Sequence, residues 1–157
     1  MIQILIEGIN SVMKEIGEDF EIIVVDRSDD DTPLRAGKAG AKVFRQSSKG
    51  LGGALKEGLK LAKGDVIFTM DADLSHDPAF IPGFLAELSK GLDIVVGSRR
   101  IKGGKVIGWG FRRKATSWTA NILGRLLAGV KVSDLTSGYR AYKGEALKRM
   151  DLKAMDS

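Results

Sequence analysis

The stretch FTMDADLSHDP, residues 68–78, places acidic side chains directly after an apolar run. Asp71 and Asp73 are two residues apart, so both carboxylates project to one side if the strand continues through Asp73. Mg²⁺ and Mn²⁺ are typically held by one or two carboxylates, while substrate phosphates and waters fill the remaining positions. We therefore predict a site for Mg²⁺ or Mn²⁺ at Asp71 and Asp73.

Two further polar residues of this stretch have simpler interpretations. Asp77 precedes Pro78, a pair typical of a helix N-cap followed by the first helical residue. His76 is the only histidine of the chain. A single histidine near a loop is more often structural than a metal ligand, so we leave His76 outside the predicted site.

A glycine-rich turn precedes the same strand. SSKGLGGALKEG, residues 47–58, has the form of a turn entering a helix, where free amides and the helix dipole favour an anion. It matches neither a Walker loop nor a dinucleotide fingerprint. Beside a metal-type acidic pair, it predicts that Lys49 and Gly50 contribute to a nucleotide diphosphate site.

Residues 94–133 contain no Asp or Glu and form a strongly basic segment. Its basic residues are Arg99, Arg100, Lys102, Lys105, Arg112, Arg113, Lys114, Arg125 and Lys131. Such a run is usually a solvated face, but the absence of balancing acids favours a phosphate-bearing partner. A nucleic-acid-binding domain is an alternative, although only Trp109, Phe111 and Trp118 interleave with the charges.

The rest of the chain predicts the elements that position these residues. With 157 residues and no cysteine, one domain without disulfides or thiolate chemistry is expected. Helical spacing at residues 2–16, 51–62, 79–90 and 114–128 alternates with apolar runs at 21–26, 42–45, 65–70 and 93–97. This order predicts an α/β fold whose mostly parallel sheet is flanked by helices, with ligands at the carboxyl ends of the strands.

Four segments together resemble the polyprenyl-phosphate (dolichol-phosphate) mannose synthases, which are inverting family 2 glycosyltransferases. They are EIIVVDRSDDDT, KGLGGALKEGLKLAKGDVIFTMDADLSHDP, DIVVGSRRIKGGKVIGW and VSDLTSGYRAY. The resemblance implies the nucleotide-diphospho-sugar transferase (glycosyltransferase-A, Rossmann-like) fold. It also implies metal-dependent transfer of mannose from GDP-mannose to the phosphate of a polyprenyl (dolichyl) lipid, with inversion.

The resemblance also assigns roles to residues. Asp71 and Asp73 match the metal and diphosphate motif, and Asp26 matches the nucleoside-binding acid. Arg99 matches an arginine near the acceptor phosphate, a role we extend to Arg112, Arg113 and Arg140. The catalytic residues expected are Asp73, Arg99 and Asp134. Asp134 would orient the acceptor or sugar hydroxyls, or alternatively fix the turn before TSGYR by side-chain hydrogen bonds.

The chain departs from the family pattern in three places. Arg27 follows Asp26 where a second acid is usual, and Trp118 replaces an expected acceptor arginine. The opening strand is missing, so we expect residues 1–157 to form a single, incomplete catalytic domain, truncated at both ends. Two strands would then keep unpaired edges, so either they close up, or a second copy fills the gap, or the chain is only marginally folded; of these we favour a homodimer. Weak or no catalysis by this chain is expected, because the missing strand helps to build the nucleotide pocket.

Alternatives to the mannosyltransferase are a UDP-glucose-dependent polyprenyl-phosphate glucosyltransferase and a non-catalytic nucleotide-sugar-binding remnant. We expect this chain to be soluble and the full-length protein to act at the cytoplasmic face of a membrane. The apolar stripe of SWTANILGRLLAGV, residues 117–130, either lies near the membrane surface or packs on the sheet.

Overall fold

The computed structural model describes residues 1–98 and 134–151. Helices and short strands alternate along these ranges. In chain order they are α1 (Ile2–Ile16), β1 (Ile23–Asp26), α2 (Thr32–Lys38), β2 (Lys42–Arg45), α3 (Gly50–Leu61), β3 (Val66–Thr69), a 3₁₀ helix (Pro78–Phe80), α4 (Ile81–Ser89), β4 (Ile94–Val96), β5 (Arg140–Lys143) and α5 (Gly144–Arg149). The predicted helix at 114–128 lies outside the described residues.

Helix α1 forms because its apolar residues recur at the helical spacing predicted for residues 2–16, and it ends at Gly17. Gly17 adopts the left-handed conformation, with φ 79°, and its N–H donates a 2.9 Å hydrogen bond to Met13 O. The buried face of α1 includes Ile2 and Ile6, which pack with Ala36 of α2 and with apolar residues of β1 and β2.

The strands form two separate groups. β1 and β2 pair in parallel, with Asp26 opposite Arg45. β3 and β4 both pair with β5, which lies between them and runs antiparallel to each. The sequence analysis assigned no strand to β5, whose short RAYK segment lacks a periodic apolar pattern. Ala141 and Tyr142 are nevertheless buried, as the central position of β5 requires.

Helix α3 covers both groups of strands. A Cβ on Gly58 would lie 3.6 Å from Val25 Cγ2 of β1. One residue further along the helix, Leu59 packs in a cluster with Ile67 of β3 and Tyr142 of β5. β1 and β3 therefore lie under the same helix, although no strand pairing joins them among the described residues.

A third apolar cluster lies under α4, where Phe84 and Leu88 pack with Tyr139 and Ala141. Phe84 and Tyr139 are in ring contact, with centroids 4.5 Å apart. This cluster supports the end of β3 that leads into the acidic residues. Within residues 1–98 and 134–151, no helix has the length and apolar character needed to cross a membrane.

Candidate active site

The acidic pair lies in a turn rather than on a strand. β3 ends at Thr69, so the condition for both carboxylates to project from one continuous strand is not met. The Asp73 carboxylate accepts a 3.0 Å hydrogen bond from the Ser75 N–H, and Leu74 between them has φ 64°. This side-chain-to-backbone bond and the left-handed residue bend the chain and end its extended course.

Both carboxylates are accessible to a ligand. Asp73 is exposed, and hydrogen bonds from Ser75 lower the pKa of its carboxyl group, which favours the ionised form. The side chain of Asp71 is 43% exposed. Two accessible carboxylates in one short turn repel each other unless a cation lies between or beside them.

Asp71 is held from two directions. Its backbone N–H donates a 2.8 Å hydrogen bond to Nδ1 of His76, whose Nε2 lies 3.7 Å from Asp71 Oδ2. On the other side, a Cβ on Gly138 would lie 2.9 Å from Asp71 Oδ1. The Thr69 hydroxyl donates a 2.8 Å bond to Gly138 O, which ties the end of β3 to the segment before β5.

Tyr139 contacts both His76 and the backbone of Asp77. Its ring stacks on His76, with centroids 5.0 Å apart, and its hydroxyl donates a 3.1 Å hydrogen bond to Asp77 O. Burial raises the pKa of Tyr139, so the hydroxyl stays protonated and continues to donate. The side chain of Asp77 accepts from Ala79 N–H at 2.9 Å, which confirms its predicted capping role.

Two predicted site residues lie in the turn before β5. Asp134 is 1% exposed, and its carboxylate accepts a 2.8 Å hydrogen bond from the Thr136 hydroxyl. Arg140 donates from Nε to Ser137 O at 2.8 Å and from Nη2 to Leu135 O at 2.7 Å. These contacts stabilise the turn. They agree with the alternative interpretation of Asp134 as a residue that fixes this turn by side-chain hydrogen bonds. The roles of Asp134 and Arg140 toward the acceptor stay predictions.

Asp26 lies at the end of β1 and takes part in a hydrogen-bond network separate from that of Asp71. Its Oδ2 accepts from the N–H of Ser28 at 2.9 Å and from the hydroxyl of Ser28 at 2.7 Å. Arg45, at the end of β2, donates to Ser28 O and, at 2.7 Å, to Asp29 Oδ1. Arg27 donates to Ser48 O at 3.3 Å. Arg27, which stands where the family usually has a second acid, thus connects the loop after β1 to the glycine-rich turn.

The glycine-rich turn is organised by Glu57, which the sequence analysis did not single out. Its carboxylate accepts from the N–H and hydroxyl of Ser47 and, at 2.7 Å, from the N–H of Ser48. Hydrogen bonds from Ser48, and then from Ser47, lower the pKa of Glu57 to about 2. Lys49 and Gly50 follow directly, and Gly50 has φ 71°. These hydrogen bonds fix the conformation of the turn that precedes Lys49 and Gly50, the predicted anion-binding residues at the start of α3.

The described contacts collect the predicted residues into two groups. Asp26 is joined to the turn of Lys49 and Gly50 through Arg27, and Asp71 is joined to the segment that begins at Asp134. Within the described ranges, no cluster of three or more His, Cys, Asp or Glu side chains is arranged to hold a metal. Mg²⁺ and Mn²⁺ bound by one or two carboxylates typically take further ligands from substrate phosphates and water. Arg99, Arg112, Arg113 and Trp118 lie outside the described residues.

Comparisons with known proteins extend this picture. The family model described as "Glycosyl transferase family 2" matches residues 2–151. The chain is 42% identical over 118 residues to the undecaprenyl-phosphate mannosyltransferase of Micrococcus luteus, covering 73% of this chain and 48% of that protein. It is 40% identical over 147 residues to the dolichol-phosphate mannosyltransferase of Pyrococcus furiosus, covering 87% and 41%. The chain thus spans less than half the length of these relatives.

Solved structures are similar over most of the chain. The glucosyl-3-phosphoglycerate synthase of Mycobacterium tuberculosis, in complex with Mn²⁺, UDP and phosphoglyceric acid, is 26% identical with a TM-score of 0.68, covering 92% of this chain and 52% of that one. The mannosyl-3-phosphoglycerate synthase of Rubrobacter xylanophilus is 23% identical with a TM-score of 0.72, covering 92% and 49%. The second match bears on the fold alone.

Proposed function

The chain belongs to glycosyl transferase family 2, and on that premise we propose that it is part of an enzyme that transfers mannose from GDP-mannose to a polyprenyl phosphate. The observation that carries the proposal is the turn after β3, where Asp71 and Asp73 are accessible and Asp71 is held by His76 and Gly138. The names of the curated relatives support mannose as the sugar and a polyprenyl phosphate as the acceptor.

The donor diphosphate would bind at this turn with Mg²⁺ or Mn²⁺. Asp71 and Asp73 are hard oxygen ligands of the type these ions prefer, and one structural neighbour contains Mn²⁺ with UDP. A bound divalent cation supplies Lewis-acid stabilisation of the departing nucleotide diphosphate. In this proposal Asp26, at the end of β1, binds the nucleoside, while Lys49 and Gly50 contribute to the diphosphate site.

Binding of the acceptor phosphate requires positive charge, and its activation does not require a general base. A phosphate monoester has a second pKa of about 6, so at neutral pH it is already an anionic nucleophile. Its oxygen would form a bond to the anomeric carbon as the bond from that carbon to the nucleotide diphosphate breaks, which inverts the configuration. Arg99, Arg112 and Arg113 of the basic segment would hold this phosphate in line, where positioning supplies much of the acceleration.

UDP-glucose is the alternative donor in this proposal. UDP-glucose would use the same acidic turn, and Arg27 stands where the family usually has a second acid that borders the nucleoside site. One structural neighbour binds UDP-glucose with Mn²⁺, at 26% identity. In this proposal the loop after β1 bears on the choice between GDP and UDP.

The proposal extends to the surroundings of the enzyme. A lipid-borne phosphate requires the site to reach a membrane surface, and we place it at the cytoplasmic face. We also propose a homodimer, because β1 and β3 lie under the same helix without pairing to each other among the described residues. Strand edges of this kind favour pairing with another chain. A monodisperse monomer in sedimentation velocity would contradict the dimer.

The proposed function is tested by a thermal-shift panel of GDP-mannose, UDP-glucose and a short oligonucleotide, each with and without Mn²⁺. A ligand that binds only the folded state raises the unfolding temperature, and the stabilisation grows with the logarithm of the ligand concentration relative to its Kd. We expect GDP-mannose to stabilise the chain only when Mn²⁺ is present. Stabilisation by the oligonucleotide alone, independent of metal, would replace the enzyme proposal with a nucleic-acid-binding function.

A further inference from the structure

We propose that His76 is a positioning residue for the donor site, which fixes the main chain and the carboxylate of Asp71 without binding the metal itself. The inference rests on the proposed function, because it gives His76 a role in the binding of a metal and a nucleotide diphosphate. His76 was not among the site residues predicted from the sequence.

The first observation is the hydrogen bond between the two residues. The N–H of Asp71 donates to Nδ1 of His76 at 2.8 Å. Because Nδ1 accepts this bond, the proton of the neutral imidazole is on Nε2. A ring nitrogen that carries a proton has no lone pair for a metal, and the other ring nitrogen is already engaged. The arrangement therefore suits a residue that orients Asp71 rather than a metal ligand.

The second observation is that the imidazole is itself held by the core. The side chain of His76 is only 12% exposed, and its ring lies nearly parallel to that of Tyr139, at an interplanar angle of 21°. Tyr139 contacts Phe84 of α4, which in turn packs edge-on against Phe68 of β3. A continuous stack of rings thus connects the buried face of α4 to the backbone of Asp71.

The third observation is the course of the chain between Asp71 and His76. Leu74 has φ 64°, in the left-handed region that an L-residue adopts only at a steric cost. With this residue left-handed, the turn brings His76 back to the N–H of Asp71. The hydrogen bond to His76 and the stack on Tyr139 favour this strained turn. Without them, the backbone at Asp71 would lose the contacts that tie it to His76 and, through the ring stack, to Tyr139.

His76 and Gly138 restrict Asp71 from different sides. Nε2 of His76 lies 3.7 Å from Oδ2, while the Cα of Gly138 adjoins Oδ1. The carboxylate therefore has little room to rotate away from the open side. Residues that orient metal ligands in this way typically account for roughly 10–100-fold of the metal affinity.

Two substitutions separate the contributions of the ring. His76→Phe keeps the stack on Tyr139 but removes both nitrogens. His76→Asn places a carbonyl oxygen near the position of Nδ1, so it can accept from Asp71 N–H but cannot stack. Asp77→Ala is the matched control, because it removes a cap from the same loop and has no contact with Asp71 among the described hydrogen bonds.

The experiment is calorimetric titration of GDP into each chain, with and without Mn²⁺, with thermal unfolding recorded for each variant. We expect Mn²⁺ to tighten GDP binding to the unmodified chain, and His76→Phe to lose roughly tenfold or more of that enhancement. His76→Asn should recover most of the loss, and Asp77→Ala should keep the full enhancement.

The outcomes are distinguishable. If His76→Phe keeps the full Mn²⁺ enhancement, or if His76→Asn loses as much as His76→Phe, the positioning role is wrong while the proposed function stands. If Mn²⁺ does not tighten GDP binding to the unmodified chain, the proposed transfer from GDP-mannose fails, and the role of His76 in binding that donor fails with it. Should His76→Phe not fold, amide hydrogen exchange decides, since an Asp71 amide that exchanges as fast as that of exposed Ala72 would overturn the inference.

Discussion

Gly138 lies directly against the carboxylate of Asp71, with room for a hydrogen but not for a methyl group between them. A Cβ on Gly138 would be 2.9 Å from Oδ1 and 3.2 Å from Oδ2. The two residues are distant in sequence, and the pairing of β3 with β5 brings them together. The glycine of the TSGYR segment is therefore explained by the room it leaves for an acid of the candidate active site.

Gly138→Ala should displace the Asp71 carboxylate and weaken Mn²⁺-dependent binding of GDP-mannose. The free energy of unfolding should change little, because the carboxylate is the end of a partly exposed side chain that can move aside. Gly83→Ala is the matched control, because a Cβ there meets nothing within 4 Å and alanine favours the helix by up to about 1 kcal/mol. Calorimetry and thermal unfolding check both variants. Equal donor affinity in the two would show that the close approach is unimportant for binding.

Asp73→Ala, and to a similar or lesser degree Asp71→Ala, should remove the metal-dependent part of donor binding while leaving the fold intact. The reason is that an exposed carboxylate in a turn contributes little to packing but supplies a hard oxygen ligand. Removing a residue that only orients a metal ligand typically costs roughly tenfold or more in metal affinity. We therefore expect the donor affinity measured in Mn²⁺ to fall by at least about that factor when a ligand itself is removed. Unchanged affinity in the double variant at saturating Mn²⁺ would refute the metal assignment.

Glu57→Gln should reduce the loss of stability in acid. The pKa of Glu57 is about 2 in the folded chain against an ordinary value of 4.5. Its lowered pKa contributes stability that is fully present above pH 4.5 and is lost as the pH falls toward 2. Urea unfolding of both chains between about pH 5 and pH 2 measures the slope. Identical slopes would mean that the hydrogen bonds from Ser47 and Ser48 do not depend on the charge of Glu57.

Arg99→Ala, in a protein that includes the full catalytic domain, should impair transfer to the lipid phosphate much more than it impairs nucleotide binding. Arg99→Lys should restore only part of the activity, because an ammonium lacks the planar fork of the guanidinium. Transfer assays and donor titrations compare the three proteins. An equal loss of donor affinity in both variants would assign Arg99 to the donor diphosphate instead.

Much of the fold was predictable from the sequence because it depends on local patterns. Helix α1 and its end at Gly17 follow from apolar spacing and a glycine that tolerates the left-handed conformation. The α/β class and the resemblance to the polyprenyl-phosphate mannose synthases are confirmed by the family match over residues 2–151 and by the relatives at 40–42% identity. The capping role of Asp77 was predicted for the same local reason.

The site was predictable in its residue types but not in its geometry. The spacing of Asp71 and Asp73 identified a pair of acids, yet the strand expected to align them ends at Thr69. Whether a strand continues depends on which backbone groups find partners across the sheet, and here the Asp71 N–H donates to His76 rather than to a neighbouring strand.

The sequence by itself determined the order of the elements and the acids that follow β3, because helical and strand periodicity and turn chemistry act over a few residues. Only the tertiary structure decided that β5 enters antiparallel between β3 and β4, that Gly138 adjoins Asp71, and that Tyr139 supports His76. These contacts join residues far apart in the chain. Their formation depends on packing and hydrogen bonding across the whole domain, which no short stretch of sequence specifies.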